Sequence, residues 1–345
     1  MTPDPARGTP VPSREANRMD RGYRLYRRRA SRCRTENQLN RIHIALDNYM
    51  TPAEVRHFAA VLAGEVADSP SRRWIATLAE SMPINAVRPV EFERRELLKG
   101  VTHYTANAGS PAEKTLIIGF SGIHHRLMSP TAWLLDCLNP MLYDVIVLRD
   151  FSRRGFALGL PGLGKDLLEM LSDLAKHCDP RAYRKAVSLG TSAGGVPAIL
   201  AAIALELDRG ISLCPSDYRW YAAYVKALGV DEQSYAAVLA SRPHPFPELI
   251  IVSGALKKDD LAAAVALHAA VPSQLWKVRN CAQHGILKWH IARGTLRAFL
   301  AKVLDQSLEN QEARGATLSA RWVVTSGARS LAMGVPAATD SVSFR

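Results

Sequence analysis

The sequence predicts an α/β protein with a mostly parallel central sheet, helices on both faces, a small helical cap and an N-terminal helical appendage. Three observations support this fold class. Short apolar runs alternate with helical stretches from residue 115 onwards, the order that produces a parallel sheet covered by helices. Two further runs flank Lys99-Gly100 and predict an antiparallel strand pair. A glycine-rich junction at 190–195 joins a buried strand to a buried helix.

The first 34 residues hold most of the excess positive charge. The whole chain has a net charge of +12, and this segment contains ten arginines against three acidic residues, so it contributes seven of the twelve charges. Its proline-rich, polar start predicts a disordered basic arm over residues 1–34. Such an arm can make weak contact with anionic surfaces, although a solvated tail is the simpler alternative. The rest of the chain is only mildly basic, which argues against nucleic-acid binding by the whole protein.

Residues 35–88 predict a helical appendage. Apolar residues recur at helical spacing between 39 and 49. Thr51, Pro52 and Glu54 then form the pattern of a capping box with proline at the first helical position. A third helix is predicted over residues 74–82.

The main domain is predicted over residues 89–308. Its segment 215–247 is rich in aromatic residues and predicts a helical cap that supplies an apolar wall to a pocket. Residues 309–345 predict a flexible tail. The strands are predicted at residues 90–98, 101–105, 115–120, 145–148, 186–189, 211–214, 249–252 and 275–278.

The strand–helix junction carries the candidate nucleophile, Ser192. The sequence Gly190-Thr-Ser-Ala-Gly-Gly195 matches G-x-S-x-G, in which small neighbours let strand and helix approach while the hydroxyl projects. The helix behind the serine offers free N–H groups to a developing oxyanion. The alternative is an ordinary glycine-rich turn whose serine only caps the helix.

Two later loops supply the partners that a nucleophilic serine needs. Asp260, or alternatively Asp259, follows the strand at 249–252, and His284 follows the strand at 275–278. Functional groups of an open parallel sheet collect at these carboxyl ends. The imidazole would accept the hydroxyl proton, and the carboxylate would orient the imidazole and stabilise its charge. One of the two aspartates is expected only to cap the next helix, and His290, inside a helix, is expected to be structural.

The loop after the strand at 115–120 supplies a candidate oxyanion hole. Gly122 lets backbone approach a substrate, so the backbone N–H groups of Ile123 and Ala193 are the predicted donors. His124 and His125 lie in the same loop, but the sequence places no further ligand nearby. A metal site is therefore not predicted.

Between Pro89 and Leu304 the strand pattern, the elbow and the order Ser192, Asp260, His284 resemble the α/β-hydrolase superfamily. The segment 190–195 is similar to the elbow of serine esterases, and the segment beginning His284-Gly-Ile-Leu is similar to their terminal histidine segment. The His-Gly-Gly-Gly loop of some esterases is replaced by Ser121-Gly-Ile-His124. The resemblance implies acyl hydrolysis or transfer without a cofactor.

A second glycine motif has a different interpretation. Gly159 to Lys165 fits G-x-x-x-x-G-K, but Asp166 replaces the Ser or Thr that would reach Mg²⁺. The sequence therefore argues against a P-loop nucleotide site. We expect a flexible loop that lines the entrance of the site.

The predicted function is a serine hydrolase acting on a carboxylic ester or related acyl bond of a small-molecule or acyl substrate. An acyltransferase with the same triad and a non-catalytic interaction protein remain the alternatives. Five scattered cysteines without metal or disulfide spacing favour the cytoplasm. No stretch is apolar enough to predict a membrane span. The oligomeric state and the natural substrate are left open.

Overall fold

The computed structural model describes residues 14–66, 68–241, 243–304 and 323–326. The described helices are α1 Arg14–Ala30, α2 Glu36–Asp47, α3 Pro52–Leu62, α4 Pro70–Glu80, α5 Thr131–Asp136, α6 Leu167–His177, α7 Gly195–Ala204, α8 Tyr218–Ala227, α9 Glu232–Ala240, α10 Lys258–Ala270, α11 Ile286–Ile291 and α12 Leu296–Val303. The described strands are β1 Glu93–Leu98, β2 Val101–Thr105, β3 Thr115–Phe120, β4 Tyr143–Leu148, β5 Lys185–Thr191, β6 Arg209–Leu213, β7 Glu248–Gly254, β8 Gln274–Val278 and β9 Val323–Ser326.

The strands form one sheet in the order β1-β2-β4-β3-β5-β6-β7-β8-β9. The six strands from β4 to β8 in this order are parallel, while β1, β2 and β9 pair antiparallel at the two edges. This confirms the predicted mostly parallel sheet. Parallel strands point their carboxyl ends to one edge, so the loops after β3, β5, β6, β7 and β8 share that edge.

Helices cover both faces of the sheet, as predicted. Alternate residues of β3 face opposite sides, with Leu116, Ile118 and Phe120 in one core and Ile117 in the other. The first core includes α6, α7, α10 and the two helices of the 215–247 segment, whereas the second includes α5, α11 and α12. Helix α7 is buried from Gly195 to Ile203, which explains its uniformly apolar sequence.

The appendage consists of α1 to α4 packed around a small core of its own that also contains Ala132 of α5. The predicted capping box at α3 is confirmed: the Thr51 side chain accepts from the Glu54 N–H, and the Glu54 carboxylate accepts from the Thr51 N–H at 2.8 Å. Within the described residues, no helix combines the length and apolar character needed to cross a membrane.

The predicted disordered arm is wrong for residues 14–30, which form α1. The many arginines of α1 obscured its apolar face in the sequence. Tyr26 is buried, its hydroxyl lies 3.1 Å from His43 Nε2, and its ring packs against Phe58 and Trp74. These contacts hold the otherwise solvated, positively charged α1 against α2, α3 and α4. Residues 1–13 lie outside the described part of the chain.

The predicted flexible tail at 309–345 also needs a correction. Residues 323–326 form β9, which pairs antiparallel with β8. Val323 and Val324 favour a strand because β-branched residues suit a pleated backbone, so this short run was a local signal for β9. The remainder of 309–345 lies outside the described residues.

The loop between β4 and α6 is packed against the core, so the prediction of a flexible loop is wrong. Phe156, Leu160 and Leu163 are buried, and Leu160 and Leu163 exchange two backbone hydrogen bonds. Asp166 caps α6 by accepting from the Glu169 N–H at 2.9 Å. The apparent nucleotide motif is therefore a closed loop followed by an ordinary helix cap.

Candidate active site

Ser192 occupies a sharp turn between β5 and α7. Its φ angle is +54°, a left-handed conformation that is uncommon for residues other than glycine. A single turn of 3₁₀ helix, Ser192–Gly194, leads directly into α7. The strained backbone lifts the side chain above the carboxyl edge of the sheet, as the elbow pattern predicts.

The flanking glycines are required by close approach of the backbone. A Cβ atom on Gly190 would overlap the Gly194 carbonyl, and a Cβ on Gly194 would overlap the Phe120 carbonyl oxygen. The turn therefore packs directly on its own strand and on the end of β3. Any larger residue at either position would force the elbow apart.

Asp260 and His284 meet at the same edge of the sheet. Nδ1 of His284 lies 2.9 Å from Oδ2 of Asp260, so an Nδ1–H donates to the carboxylate and leaves Nε2 available as a base. The Asp260 side chain is only 12% exposed, whereas Asp259 is 91% exposed and contacts Lys257 at 3.5 Å. The structure thus brings Asp260, and not Asp259, to the imidazole. Neither caps α10, whose cap position is Lys257.

Ser192 and His284 lie in loops at the same edge of the sheet, after β5 and β8, but are not hydrogen-bonded to each other. In the described part of the chain the Ser192 hydroxyl makes no hydrogen bond. Serine–histidine contacts of this kind are often long without substrate and tighten when the substrate binds.

Cys214 is a member of this cluster that the sequence analysis missed. It follows β6 with a φ of +46° and is buried, and its Sγ lies within 4.8 Å of ligand atoms of both Asp260 and His284. Burial and the neighbouring Asp260 charge raise the pKa of this thiol well above its usual range. A protonated thiol donates a weak hydrogen bond to Asp260 and so supports its carboxylate. Its position after a parallel strand was the available signal.

The three side chains include the ligand types that bind zinc. Metal ligation would require the Cys214 thiolate, which burial disfavours, and the Asp260 oxygen that already accepts from His284. The donor set therefore fits an acid–base pair better than a metal site.

The loop carrying Ile123 lies against the elbow. A Cβ on Gly122 would be 3.3 Å from the Ser192 Cβ. Backbone hydrogen bonds from Gly122 N–H to Arg126 O and from His125 N–H to Gly122 O fold the loop into a tight turn. Among the described residues, the Ile123 N–H has no acceptor. The Ala193 N–H lies in the first turn after Ser192, where no intrahelical acceptor exists. The loop next to the elbow and the first turn after Ser192 therefore each carry a backbone N–H without an acceptor in the described part of the chain.

Arg149 holds the loop at 121–126 in place. Its guanidinium is fully buried and donates to the carbonyl of His125 at 3.1 Å, to Thr102 Oγ1 at 2.8 Å and to the carbonyl of Asn48. The Asn48 amide in turn donates to the His124 carbonyl at 3.2 Å. Asn48 belongs to the appendage, so the appendage and the loop at 121–126 share one hydrogen-bond network.

The 215–247 segment lies beside the elbow. The Tyr221 hydroxyl donates to the Gly155 carbonyl at 2.9 Å, and a Cβ on Gly155 would be 3.7 Å from the Ala193 carbonyl. Trp220 stacks on Tyr224 with ring centroids 5.0 Å apart, and Arg154 donates to the Tyr224 hydroxyl. The Ser216 N–H donates to the Ser192 carbonyl at 3.2 Å, so the segment adjoins the elbow and carries an aromatic and basic wall of Trp220, Tyr224 and Arg154.

His290 is held in a structural environment, as expected from its place in a helix. It is buried, its Nδ1 lies 2.8 Å from Thr295 Oγ1, and its ring stacks on Phe299 at 4.3 Å. Burial, assisted by the charge of Arg293, lowers the pKa of His290 to about 4.

We expect His290→Gln to flatten the pH dependence of stability. The unfolded chain binds a proton at His290 near pH 6.5 while the folded chain resists until about pH 4, so stability is lost as pH falls between these values. One such group costs about 2 kcal/mol of unfolding free energy between pH 7.5 and pH 5. Urea titrations at both pH values measure the difference. His177→Gln, at an exposed histidine, is the control and should leave the pH dependence as in the parent. Equal pH dependence in the two variants would contradict the assignment.

Comparison with known proteins gives matches only among solved structures. No family model matches the sequence, and no curated protein does. Est1E from Butyrivibrio proteoclasticus is 14% identical, with a TM-score of 0.42 over 62% of this chain and 99% of its own. MGS-MChE2, an α/β-hydrolase enzyme from a sediment metagenome of the lagoon of Mar Chica, Morocco, is 16% identical, with a TM-score of 0.41 over 64% of this chain and 99% of its own. The siderophore hydrolase EstB from Aspergillus nidulans is 14% identical, with a TM-score of 0.38 over 64% and 98%.

These similarities are too low to carry functional information. The architecture stands on the chain itself: a parallel sheet with an antiparallel edge, a serine elbow after β5, an acid after β7 and a histidine after β8. By these features the chain has the α/β-hydrolase fold.

Proposed function

We propose that the protein is a serine hydrolase that cleaves a carboxylic ester or related acyl bond. The observation that carries the proposal is the 2.9 Å contact between His284 Nδ1 and Asp260 Oδ2, at the same sheet edge as the left-handed Ser192. A carboxylate that holds one imidazole nitrogen leaves the other to act as a base.

In the proposed reaction, Ser192 Oγ attacks the acyl carbon while His284 Nε2 takes the hydroxyl proton. The carbonyl oxygen becomes an oxyanion that accepts hydrogen bonds from the Ile123 and Ala193 N–H groups. The intermediate collapses, and His284 returns the proton to the departing alcohol oxygen. Water then attacks the acyl-enzyme with His284 again as base, releasing the acid and restoring Ser192. Asp260 stabilises the imidazolium in both steps.

The aromatic wall formed by the 215–247 segment is proposed to cap the acyl pocket. All five cysteines are unpaired, which supports the proposed cytoplasmic location. An acyltransferase differs only in the acceptor. Adding a primary alcohol during turnover would divert most of the acyl group from water in a transferase and little of it in a hydrolase.

Covalent labelling tests the proposal directly. A fluorophosphonate probe should attach to the peptide that contains Ser192, as located by mass spectrometry, because only an activated serine reacts readily. Ser192→Ala and His284→Ala should both abolish labelling. A folded parent protein that remains unlabelled would instead support a non-catalytic interaction protein.

We also propose that the arginine face of α1 makes weak contact with anionic surfaces. Arg21, Arg24, Arg28 and Arg29 are exposed, while the buried Tyr26 fixes α1 against α2, α3 and α4. A fixed array of cations attracts polyanions in a salt-dependent manner.

We expect the triple variant Arg21→Gln/Arg24→Gln/Arg28→Gln to elute from heparin at lower salt than the parent protein. The matched control replaces the exposed Lys165, Lys176 and Lys226, each of which pairs with an acidic residue, by glutamine. Both variants lose three charges, so an equal shift would show that retention depends on net charge and not on α1.

A further inference from the structure

A pocket of about 460 Å³ lies where the appendage meets the main domain, and we call it the junction pocket. Its walls come from α2 and α4 on one side and from the loop 126–130, α5 and α11 on the other. The volume is within the range of small-molecule sites. Nothing in the proposed hydrolysis uses this pocket.

The charges of the junction pocket are unbalanced. Asp47, Arg126 and Lys288 line it together, and among the described residues neither cation has a carboxylate within 4 Å. Partial desolvation of the ammonium group and the charge of Arg126 lower the pKa of Lys288, and the charge of Asp47 only partly offsets this effect. The other two charged lining residues, Glu36 and Arg73, pair with each other at 3.5 Å. The pocket therefore has room for one additional negative charge.

Two indole rings, those of Trp74 and Trp133, wall the junction pocket and are held in place by contacts within the protein. The Trp74 ring stacks on His43 at 4.2 Å, and its N–H donates to Asp47 at 2.9 Å. The Trp133 N–H donates to the Leu78 carbonyl at 2.9 Å. With their polar atoms satisfied, the two indoles offer rigid apolar surface, which costs a ligand little ordering entropy.

We propose that the junction pocket binds a small organic carboxylate with an aromatic body, its carboxylate toward Arg126 and Lys288 and its ring toward the two indoles. A guanidinium and an ammonium from separate segments can both donate to one carboxylate. Binding by itself does not depend on the proposed hydrolysis.

The position of the two cations connects this pocket to the candidate active site. The Arg126 carbonyl accepts from the Gly122 N–H at 3.2 Å, in the loop that carries Ile123. The Lys288 side chain lies against Gly285, which follows His284 in the chain, and a Cβ there would be 3.7 Å away. The carboxylate is therefore either the far end of the substrate or a separate small acid that acts on these loops.

Calorimetry with 2-naphthoate tests the site, with neutral 2-naphthamide as the matched control ligand. The parent protein should bind naphthoate and bind the amide at least about tenfold more weakly, because charged hydrogen bonds are lost. Arg126→Gln and Lys288→Gln should each weaken naphthoate binding by about tenfold or more. Asp47→Asn should strengthen it, since an amide oxygen can still accept from Trp74 while the competing charge is gone. Lys288 is exposed, so its variant remains informative if Arg126→Gln fails to fold.

Absence of naphthoate binding, or equal affinity in the parent and Lys288→Gln proteins, would overturn the proposal. Turnover measurements distinguish a carboxylate that belongs to the substrate from one that belongs to a separate acid. For a substrate group, Lys288→Gln lowers kcat/KM for esters with a terminal carboxylate and not for neutral esters. For a separate acid, naphthoate changes the turnover of a neutral ester and Lys288→Gln removes that response. Calorimetry needs no turnover, so a failed hydrolase assay leaves the binding result interpretable.

Discussion

Ser192→Ala is expected to lower kcat for a short-chain p-nitrophenyl ester by about four to six orders of magnitude, because the covalent route disappears with the nucleophile. The melting temperature should hardly change. The hydroxyl makes no hydrogen bond among the described residues. The left-handed φ of +54° is about as unfavourable for alanine as it is for serine.

Ser192→Gly is the matched control for this prediction. It should be equally inactive but more stable than the alanine variant by about 1 kcal/mol, since glycine adopts a positive φ without steric cost. Chemical denaturation of both variants measures the difference. Substantial esterase activity in either protein would reject Ser192 as the nucleophile.

Asp260→Asn is expected to reduce kcat by about four orders of magnitude, the loss that an amide causes in the equivalent position of serine proteases. The amide can hold the imidazole in the wrong tautomer and cannot balance the imidazolium. Asp260 is 2.9 Å from His284 and its side chain is only 12% exposed, so solvent screens the lost charge only in part.

Asp259→Asn is the control, because its side chain is 91% exposed and contacts only Lys257 among the charged residues described. Its kcat should remain within about twofold of the parent value, as for most surface substitutions. Melting curves for both variants separate a chemical defect from unfolding. If the Asp259 variant were inactive and the Asp260 variant active, the geometric assignment would be wrong.

Local sequence patterns predicted the elements that depend on local chemistry. The G-x-S-x-G turn, the capping box at Thr51 and Glu54, and the short apolar strands all have a periodicity or steric requirement that a single sequence displays. The sequence favoured Asp260 and kept Asp259 as the alternative, and the coordinates show that Asp260 is the one on the side of α10 that faces the histidine loop.

Other features depended on long-range contacts that a single sequence does not display. Helix α1 was mistaken for a disordered arm because its arginines outnumber its buried residues, and Tyr26 is recognisable as an anchor only beside His43 and Phe58. Cys214 belongs to the candidate site because β6 pairs with β7, and the sequence does not display this pairing. The loop before α6 is packed by buried leucines, whereas its many glycines had suggested a flexible loop.

The buried Arg149 determines how this chain can be divided. A fragment that begins at residue 89 would keep every strand of the main sheet together with Ser192, Asp260 and His284. It would lose the Asn48 carbonyl and the Tyr49 ring, which contact the guanidinium from the appendage side. A buried cation deprived of such partners destabilises a protein by several kcal/mol. The appendage is therefore an integral part of the folding unit, and a recombined or shortened version of this hydrolase fold must keep Asn48 together with Arg149.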